Sequence, residues 1–440
     1  MTLISTLLLA ATAHAQGVDD ARFHGIWNGV LETGGPSLRL ELRVDADAIT
    51  LVSVDQGGAQ IPAEAASVDA DTLIASFPSA SASISLQLTN ADMLEGSFTQ
   101  GGGTLSLSMA RGATPDEVEV EITGSDEELI VQTPVVRLAG SVRRPDGDGP
   151  FPAILLLNGS GSQDRNATVM GQPVFGVLAD ALAARGIASL RLDDRGLGGS
   201  QMVPPTSPLD LADDAVHALA ALRDADQVNA SCVAILGHSE GGLIAFLAAD
   251  ATEPDFIITL AGMHGTMADT LYEQSEVMIL ASGGGQARAD ANRVLQTAMF
   301  EVMRNAPQAE VAGAMIAALT ERGFPEEAAR QQAAIWAQPY AVAALDLDPT
   351  EAMAAYDGPV HAFFGSLDLQ VLAQPNSERL LAARDGLPTE ITVIEGVNHL
   401  FQDAQTGLPA EYASAPHAMS PESLAAIADA AEALIGEVCL

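Results

Sequence analysis

A short apolar run that ends in a glycine–serine–glycine turn constrains the fold of this chain more than any other feature. Residues 233–236 read VAIL, residues 237–241 read GHSEG, and small and apolar residues follow to Ala249. The apolar run is typical of a buried parallel strand, and the residues after the turn indicate a helix. Strand, sharp turn and helix are the context that the G-x-S-x-G nucleophile elbow requires.

The glycines of this turn have a physical reason. Ser239 must adopt a strained backbone conformation if its Oγ is to project from the sheet, and β-carbons at Gly237 and Gly241 would clash there. The helix that follows points its amino end at the site, where its amides favour a developing oxyanion. The pattern therefore favours Ser239 as a catalytic nucleophile over a merely structural turn.

The first part of the chain has a β texture. Seven short alternating runs recur between residues 23 and 111, separated by glycine and aspartate clusters and without a helical period. Such spacing predicts a small antiparallel barrel or sandwich. Trp27 is expected to be an anchor of its core, because a large aromatic side chain buries the most apolar area.

Strands and helices alternate from residue 117 onward, beginning with a predicted antiparallel pair at 117–122 and 135–143. This alternation predicts an α/β fold, an open and mostly parallel sheet with helices on both faces. Between the predicted strands at 256–260 and 359–364 the chain becomes helical, with Met, Ala and Leu at three- and four-residue spacing. We interpret this stretch as a cap of four helices over the site. The predicted organisation is a signal peptide at 1–15, an all-β domain at 16–112, and a catalytic domain at 113–440 with a cap at 265–345.

A serine nucleophile needs a base and an acid, which follow it in the order acid, then histidine, in this fold. Asp368 lies in the turn after the predicted strand at 359–364, whereas its rivals Asp346, Asp348 and Asp357 precede that strand. His399 lies in the loop after the last predicted strand and is the expected base. Of the other histidines, only His417 also follows the acid.

An oxyanion needs two N–H donors aimed at it. The amide of Glu240, directly after the nucleophile, is one expected donor. The other is expected from the glycine-rich turn after an early strand, where the Ser160 amide is the first choice and the Gly161 amide the second.

Composition limits the partners. The chain has 58 acidic and 19 basic residues, a net charge of −39, and no lysine. So negative a surface repels phosphate backbones and anionic lipid headgroups, which argues against nucleic-acid and peripheral membrane partners. The two cysteines, Cys232 and Cys439, lack metal-ligand spacing, and nothing in the sequence argues for a disulfide between them. We expect no metal and no cofactor.

Residues 1–15 are apolar and end in Ala13-His14-Ala15, which indicates a secretory signal cleaved before Gln16, although a basic segment after Met1 is missing. This stretch is too short for a transmembrane helix, and no other stretch is long and apolar enough for one. The expected location is periplasmic or secreted.

Five motifs in order resemble the α/β-hydrolase carboxylesterases of the bacterial EstD-like type. They are GSGSQDR at 159–165, DDRG at 193–196, GHSEGG at 237–242, GSLDLQV at 365–371 and NHLF at 398–401. The N-terminal stretch, with GIWNGVL at 25–31, also looks like the extra β domain of that group. The resemblance implies Ser239, Asp368 and His399 as nucleophile, acid and base, a short-chain acyl ester as substrate, and no cofactor.

Two other functions are open at this stage. The same triad serves a serine peptidase or an acyltransferase, and fold alone does not separate these chemistries. A binding module with a vestigial hydrolase is the third reading, which an intact triad disfavours.

The cap is expected to roof an apolar acyl pocket with the following side chains: Leu271, Met278, Leu295, Met299, Phe300, Met303, Met315, Leu319, Trp336 and Tyr340. Asp164 and Arg165 either contact the substrate near the first glycine-rich turn or hold the shape of that turn, and the structural role is favoured. Asp194 and Arg195 are interpreted as structural braces of a glycine-rich loop.

Overall fold

The computed structural model describes residues 18, 20–31, 38–53, 59–80, 82–100, 103–111 and 125–439. The predicted signal peptide at 1–15 and the predicted strand at 117–122 lie outside these residues. The chain divides into two compact units, Met1–Glu119 and Val120–Leu440.

The first unit is a single nine-stranded antiparallel sheet in the order β4-β3-β2-β1-β9-β8-β7-β6-β5. Two of its strands, β4 and β5, escape sequence prediction because they are rich in alanine and poor in β-branched residues. The strands are β1 Gly25–Leu31, β2 Leu38–Val44, β3 Ile49–Ser53, β4 Ala59–Pro62, β5 Ala65–Asp69, β6 Thr72–Phe77, β7 Ala82–Asn90, β8 Met93–Gln100 and β9 Gly103–Arg111.

The two end strands of this sheet, β4 and β5, follow one another through a two-residue corner. Ala63 donates its amide to Ile49 of β3, and Glu64 donates to Ser76 of β6. The ends of the sheet therefore meet, which curls it into a barrel, the first of the two predicted forms. Trp27 is fully buried in the core, as predicted, and its Nε1 donates to the Phe23 carbonyl at 2.8 Å.

The second unit has an eight-stranded sheet in the order β10-β11-β15-β12-β16-β17-β18-β19, which confirms the predicted fold class. The pairs from β15 to β19 are parallel, and β10 and β11 add an antiparallel edge. A two-stranded hairpin, β13 and β14, lies beside it. The strands are β10 Ser125–Gln132, β11 Arg137–Arg144, β12 Phe151–Leu157, β13 Thr168–Val169, β14 Gln172–Pro173, β15 Ala188–Leu192, β16 Val228–His238, β17 Ile257–Leu260, β18 Val360–Gly365 and β19 Thr389–Ile394.

Eleven helices accompany this sheet in the part of the chain that the structure describes. Two pairs flank it, α1 with α11 and α2 with α3, and their apolar faces form one core with the strands. The helices are α1 Val174–Ala183, α2 Pro208–Arg223, α3 Glu240–Thr252, α4 Met267–Ala281, α5 Gln286–Asn305, α6 Val311–Glu321, α7 Glu326–Trp336, α8 Pro339–Ala344, α9 Thr350–Ala355, α10 Ala373–Ala383 and α11 Pro421–Val438.

The cap inserted after β17 contains five helices, α4 to α8, rather than the four predicted. The additional helix is short, and Pro339 at its first position explains the break, because proline ends one helix but is favoured at the start of the next. The cap has a core of its own, in which Met299, Met303 and Met315 are buried.

A disulfide joins Cys232 to Cys439, which the sequence did not predict. Cys232 lies in β16 and is buried, and Cys439 directly follows α11. The two residues are 207 positions apart in sequence, but α11 returns to the sheet and brings their Cα atoms to 5.5 Å. Sequence spacing carries no information about such a contact.

Helices long and apolar enough to cross a membrane are absent among the described residues.

Candidate active site

Ser239 lies at a sharp turn between β16 and α3, as predicted. Its φ of 55° and ψ of −119° place it in a region that residues other than glycine rarely adopt. Backbone hydrogen bonds hold this conformation. The Ser239 amide donates to Leu260, and the Ser239 carbonyl accepts from Gly242 and Met263, at 2.9 to 3.1 Å.

The two glycines of the turn are required by close backbone approaches. A β-carbon at Gly237 would lie 2.1 Å from the carbonyl oxygen of Gly241, and one at Gly241 would lie 2.3 Å from that of Leu157. Both distances are far below van der Waals contact. The structure thus confirms the steric reason inferred from the sequence.

His399 and Asp368 form a buried pair. The Nδ1 of His399 donates to Oδ2 of Asp368 at 2.8 Å, and the two side chains are 6% and 0% exposed. The other oxygen of Asp368, Oδ1, accepts from the amides of Gln370 and Val371 at 2.7 and 3.0 Å. The carboxylate is therefore fixed on both sides. It keeps the proton of His399 on Nδ1 and leaves Nε2 as the basic nitrogen.

His238 connects the elbow to the loop that carries His399. Its Nε2 donates to the carbonyl oxygen of His399 at 2.9 Å, and the two imidazole centroids are 4.7 Å apart. Burial lowers the pKa of His238 to about 3, and the neighbouring His399 adds to this effect. His238 is therefore neutral and holds the base by a single donor. Sequence reasoning placed His238 in the elbow but did not detect this contact.

Ser239 directly follows His238 in the sequence. The hydrogen bond from His238 to the His399 carbonyl therefore links the turn of Ser239 to the loop of His399. Among the described residues, the Ser239 hydroxyl forms no hydrogen bond to His399. Nucleophile–base hydrogen bonds are often long or misaligned without substrate and shorten when it binds.

The predicted oxyanion turn, residues 158–161, lies against the elbow. A β-carbon added to Gly159 would lie 3.1 Å from Cβ of Ser239, so this turn and Ser239 are in contact. Ser160 follows on this turn, and Glu240 provides the first amide of α3 on the other side. Gly161, the second choice as donor, has a φ of 92° that favours glycine.

Asp194 holds the oxyanion turn in place. Its Oδ1 accepts from Nδ2 of Asn158 at 3.0 Å, and its Oδ2 accepts from the amide of Gln163 at 2.8 Å. Burial raises the pKa of Asp194 to about 6, although both hydrogen bonds oppose the shift. These contacts agree with its interpretation as a brace.

The neighbouring charged residues are also paired. Arg165 binds Asp193 and Glu128, and Arg195 binds Asp214 with two hydrogen bonds of 2.6 and 2.9 Å. Arg165 therefore neutralises carboxylates of a loop and of the edge strand β10, and Arg195 neutralises one of α2, as expected of braces.

The rival candidates lie elsewhere. Asp346 pairs with Arg304 of the cap, and Asp348 accepts from Thr350. Asp357 precedes β18, and His417 lies in the segment between residue 414 and α11. Among the described residues, the pair with His399 is the only one that joins a candidate acid to a candidate base.

A cavity of about 340 Å³ borders the oxyanion turn and the first turn of α3. Tyr340 of α8 lies in its wall and donates to Oε1 of Glu240 at 2.9 Å. Burial raises the pKa of Glu240, and this hydrogen bond partly opposes the shift. The contact spans 100 residues, so the sequence carried no signal for it.

Most of the cap side chains predicted to roof an acyl pocket lie away from this cavity, and six of them line a second cavity of about 250 Å³ within the cap: Leu271, Leu295, Met299, Phe300, Leu319 and Trp336. Only Tyr340 of the ten cap side chains borders this cavity, together with Gln338. Met299, Phe300, Met303, Met315 and Leu319 are buried among the cap helices themselves. The cap packs its apolar faces on one another because five amphipathic helices form a small core of their own.

No cluster of three or more potential metal ligands occurs in the part of the chain that the structure describes. The strained turn of Ser239, the start of α3 and the buried pair of His399 and Asp368 follow the carboxyl ends of strands of the same sheet. Sequence comparison agrees with the fold: the model of the alpha/beta hydrolase family matches residues 154–415, more than half of the chain. The chain belongs to the α/β-hydrolase family.

A stretch of 140 residues is 30% identical to esterase EstD of Thermotoga maritima and covers 31% of this chain. The chain thus spans only 33% of that relative. Among solved structures, the esterase of Pyrococcus furiosus aligns over 74% of this chain and 96% of its own, with 11% identity and a TM-score of 0.45. The α/β-hydrolase GrgF from Penicillium aligns over 72% and 100%, with 14% identity and a TM-score of 0.45. Structural likenesses of this size do not inform the substrate.

Proposed function

We propose that this protein is a carboxylesterase-type serine hydrolase that cleaves short- to medium-chain carboxylic esters through an acyl-enzyme intermediate. The observation that carries the proposal is the 2.8 Å hydrogen bond between His399 and Asp368 beside the strained turn of Ser239. The similarity to an esterase over a third of its length supports an ester as the substrate. A serine peptidase or an acyltransferase is the alternative on the same triad.

In the proposed reaction, Oγ of Ser239 attacks the ester carbonyl while Nε2 of His399 takes its proton. The negative charge that develops on the carbonyl oxygen is stabilised by the amides of Glu240 and Ser160. When the tetrahedral intermediate collapses, the alcohol leaves with the proton from His399. Water, deprotonated by the same nitrogen, then releases the acid and restores Ser239.

The cavity beside the oxyanion turn supports the preference for short and medium acyl chains. Its volume of about 340 Å³ limits the length of the acyl chain that it can hold. Gln338, directly before α8 of the cap, and Tyr340 of α8 form part of its wall. Each added methylene stabilises the bound substrate by at most about 0.8 kcal/mol while there is room. We therefore expect kcat/KM to rise from acetyl to about butyryl or hexanoyl esters and then fall.

The test is a series of p-nitrophenyl esters from acetate to palmitate, measured beside a peptide p-nitroanilide. A maximum at short or medium chains with no anilide hydrolysis supports the proposal. Faster anilide than ester hydrolysis would favour a peptidase, and steady improvement to palmitate would favour an open lipase-like groove. Labelling by a fluorophosphonate, mapped to Ser239, excludes the reading as a binding module.

We also propose that the mature protein is exported and begins at Gln16. The disulfide between the two cysteines supports an oxidising compartment, where such bonds persist. Mass spectrometry of protein from the native host tests this. A mature terminus at Gln16 in the periplasmic or culture fraction is expected, and a retained Met1 in the cytoplasmic fraction contradicts export.

A further inference from the structure

The cavity beside the oxyanion turn is apolar in most of its wall but contains an unusual set of carboxyl groups. The apolar part comes from the ends of β12 and β15, from α2 and from Pro204 and Pro205. Four carboxyl side chains and one cation, Arg195, also border it: Asp193, Asp194, Asp214 and Glu240.

Two of these carboxyl groups are neutralised by arginines. Asp193 binds Arg165 at 2.8 Å, and Asp214 binds Arg195 at 2.6 Å. Asp194 and Glu240 differ, because neither forms an ion pair within residues 125–439. Asp194 accepts from two neutral donors, a side-chain amide and a backbone amide.

Glu240 has an unused acceptor. The residue is only 3% exposed, and its Oε1 accepts from the Tyr340 hydroxyl at 2.9 Å. Its Oε2 accepts no hydrogen bond from any of the described residues. Oε2 is not fully enclosed, and Glu240 borders the cavity, so a donor or a cation in the cavity can reach this oxygen. Burial raises the pKa of both Glu240 and Asp194.

We propose that this cavity is a specificity pocket for esters that carry an ammonium group, which Glu240 receives through Oε2 with Asp194 as the second negative charge. The inference rests on the proposed esterase function and names its substrate class. An ammonium group supplies both the missing charge and the missing donor. A methyl group of the same size supplies neither, and a carboxylate would be repelled by two like charges.

Matched esters test the inference. On the acyl side, p-nitrophenyl 6-aminohexanoate, heptanoate and hydrogen pimelate place an ammonium, a methyl and a carboxylate at the same chain position. On the alcohol side, butyrates of 5-aminopentanol, hexanol and 6-hydroxyhexanoic acid do the same. Both series are needed because the cavity borders the oxyanion turn, which faces both parts of the ester. In one series, kcat/KM for the ammonium ester should exceed that of the methyl ester about tenfold or more, with the carboxylate ester slowest.

The variants are read as the ratio of ammonium to methyl ester within each protein, so a general loss of activity cancels. Glu240→Gln should lower this ratio about tenfold, and Asp194→Asn should lower it less. Asp250→Asn, an exposed change of equal charge at the far end of α3, should leave it unchanged.

The outcomes separate the two proposals. Equal rates for ammonium and methyl esters in both series, or a ratio unaffected by both Glu240→Gln and Asp194→Asn, overturn the specificity pocket. If heptanoate is still hydrolysed and Ser239→Ala abolishes that hydrolysis, the esterase function stands without it. If the wild-type protein hydrolyses none of the six esters, both proposals fail.

Discussion

His399 is held by two contacts, which together determine the role of its imidazole. Asp368 binds Nδ1, His238 binds the main-chain carbonyl, and Nε2 is left for the serine proton. The arrangement requires neutral His238 and neutral His399 at the same time. Burial secures the first by lowering the pKa of His238 to about 3.

We therefore expect the esterase rate to depend on the neutral form of His399, because only a neutral imidazole accepts the serine proton. The buried His238 and His264 do not contribute, because burial lowers their pKa values to about 3 and about 4. His399→Ala should reduce kcat by about 10⁴-fold or more, and Asp368→Asn by about 10⁴-fold. His417→Ala serves as the matched control. A dead His417→Ala beside an active His399→Ala would contradict the assignment.

Asp194 shapes the oxyanion turn at a cost that depends on pH. Its pKa is raised from 3.8 to about 6, so between these values the folded protein holds a proton that the unfolded chain releases. The corresponding stability is present below pH 3.8 and is lost as the pH rises through about 6. Burial, which disfavours the ionised carboxylate, is the main cause of the raised pKa.

Replacing Asp194 by Asn should remove this dependence. We expect the free energy of unfolding of Asp194→Asn to increase relative to wild type between pH 4 and pH 7, by up to about 3 kcal/mol. Urea unfolding at several pH values measures it, with Asp250→Asn as the control. A difference from wild type that is the same at every pH would show that Asp194 titrates normally.

At the scale of elements, the elbow and the presence of a helical cap were predictable, and the packing of the cap was not. β16, the turn and α3 follow from local rules, since an apolar run, two glycines and a helix-forming stretch are contiguous in sequence. The packing of the cap depends on contacts among its helices, which the sequence does not show. Met299, Met303 and Met315 were therefore assigned to the pocket, although they are buried in the cap core. Likewise, β4 and β5 are strands because they pair with β3 and β6, whereas their own residues do not indicate strands.

The disulfide between β16 and the end of α11 is a further contact that only the fold creates. It closes a loop of about 207 residues, which restricts the unfolded chain. The double variant Cys232→Ala/Cys439→Ser should lose about 2–4 kcal/mol in free energy of unfolding. Reduction of the wild-type protein should have a similar effect and should leave the variant unchanged. Wild-type stability that is insensitive to reduction would contradict the bond.

At the scale of the whole molecule, negative charge predominates. A net charge of −39 attracts cations and repels anions over the surface, and the cavity with Asp194 and Glu240 has the same sign. Anionic esters should therefore be disfavoured both on approach and in the pocket.

The positions of Ser239, Asp368 and His399 relative to the strands were predictable from residue types and chain order. Contacts between distant residues were not predictable. The hydrogen bond from Tyr340 to Glu240 joins the cap to the elbow over 100 residues, and no local pattern encodes it. His238 also illustrates the limit, because its position was evident while its partner, the carbonyl of His399, was not.

The most direct test of the central claim is the kcat/KM of Ser239→Ala for p-nitrophenyl butyrate, measured beside the wild-type protein. The circular dichroism spectrum of both proteins serves as the check of folding. We expect a loss of about 10⁶-fold with an unchanged spectrum, because the hydroxyl is the proposed nucleophile. A folded Ser239→Ala that retains more than about a hundredth of the wild-type activity would contradict the account.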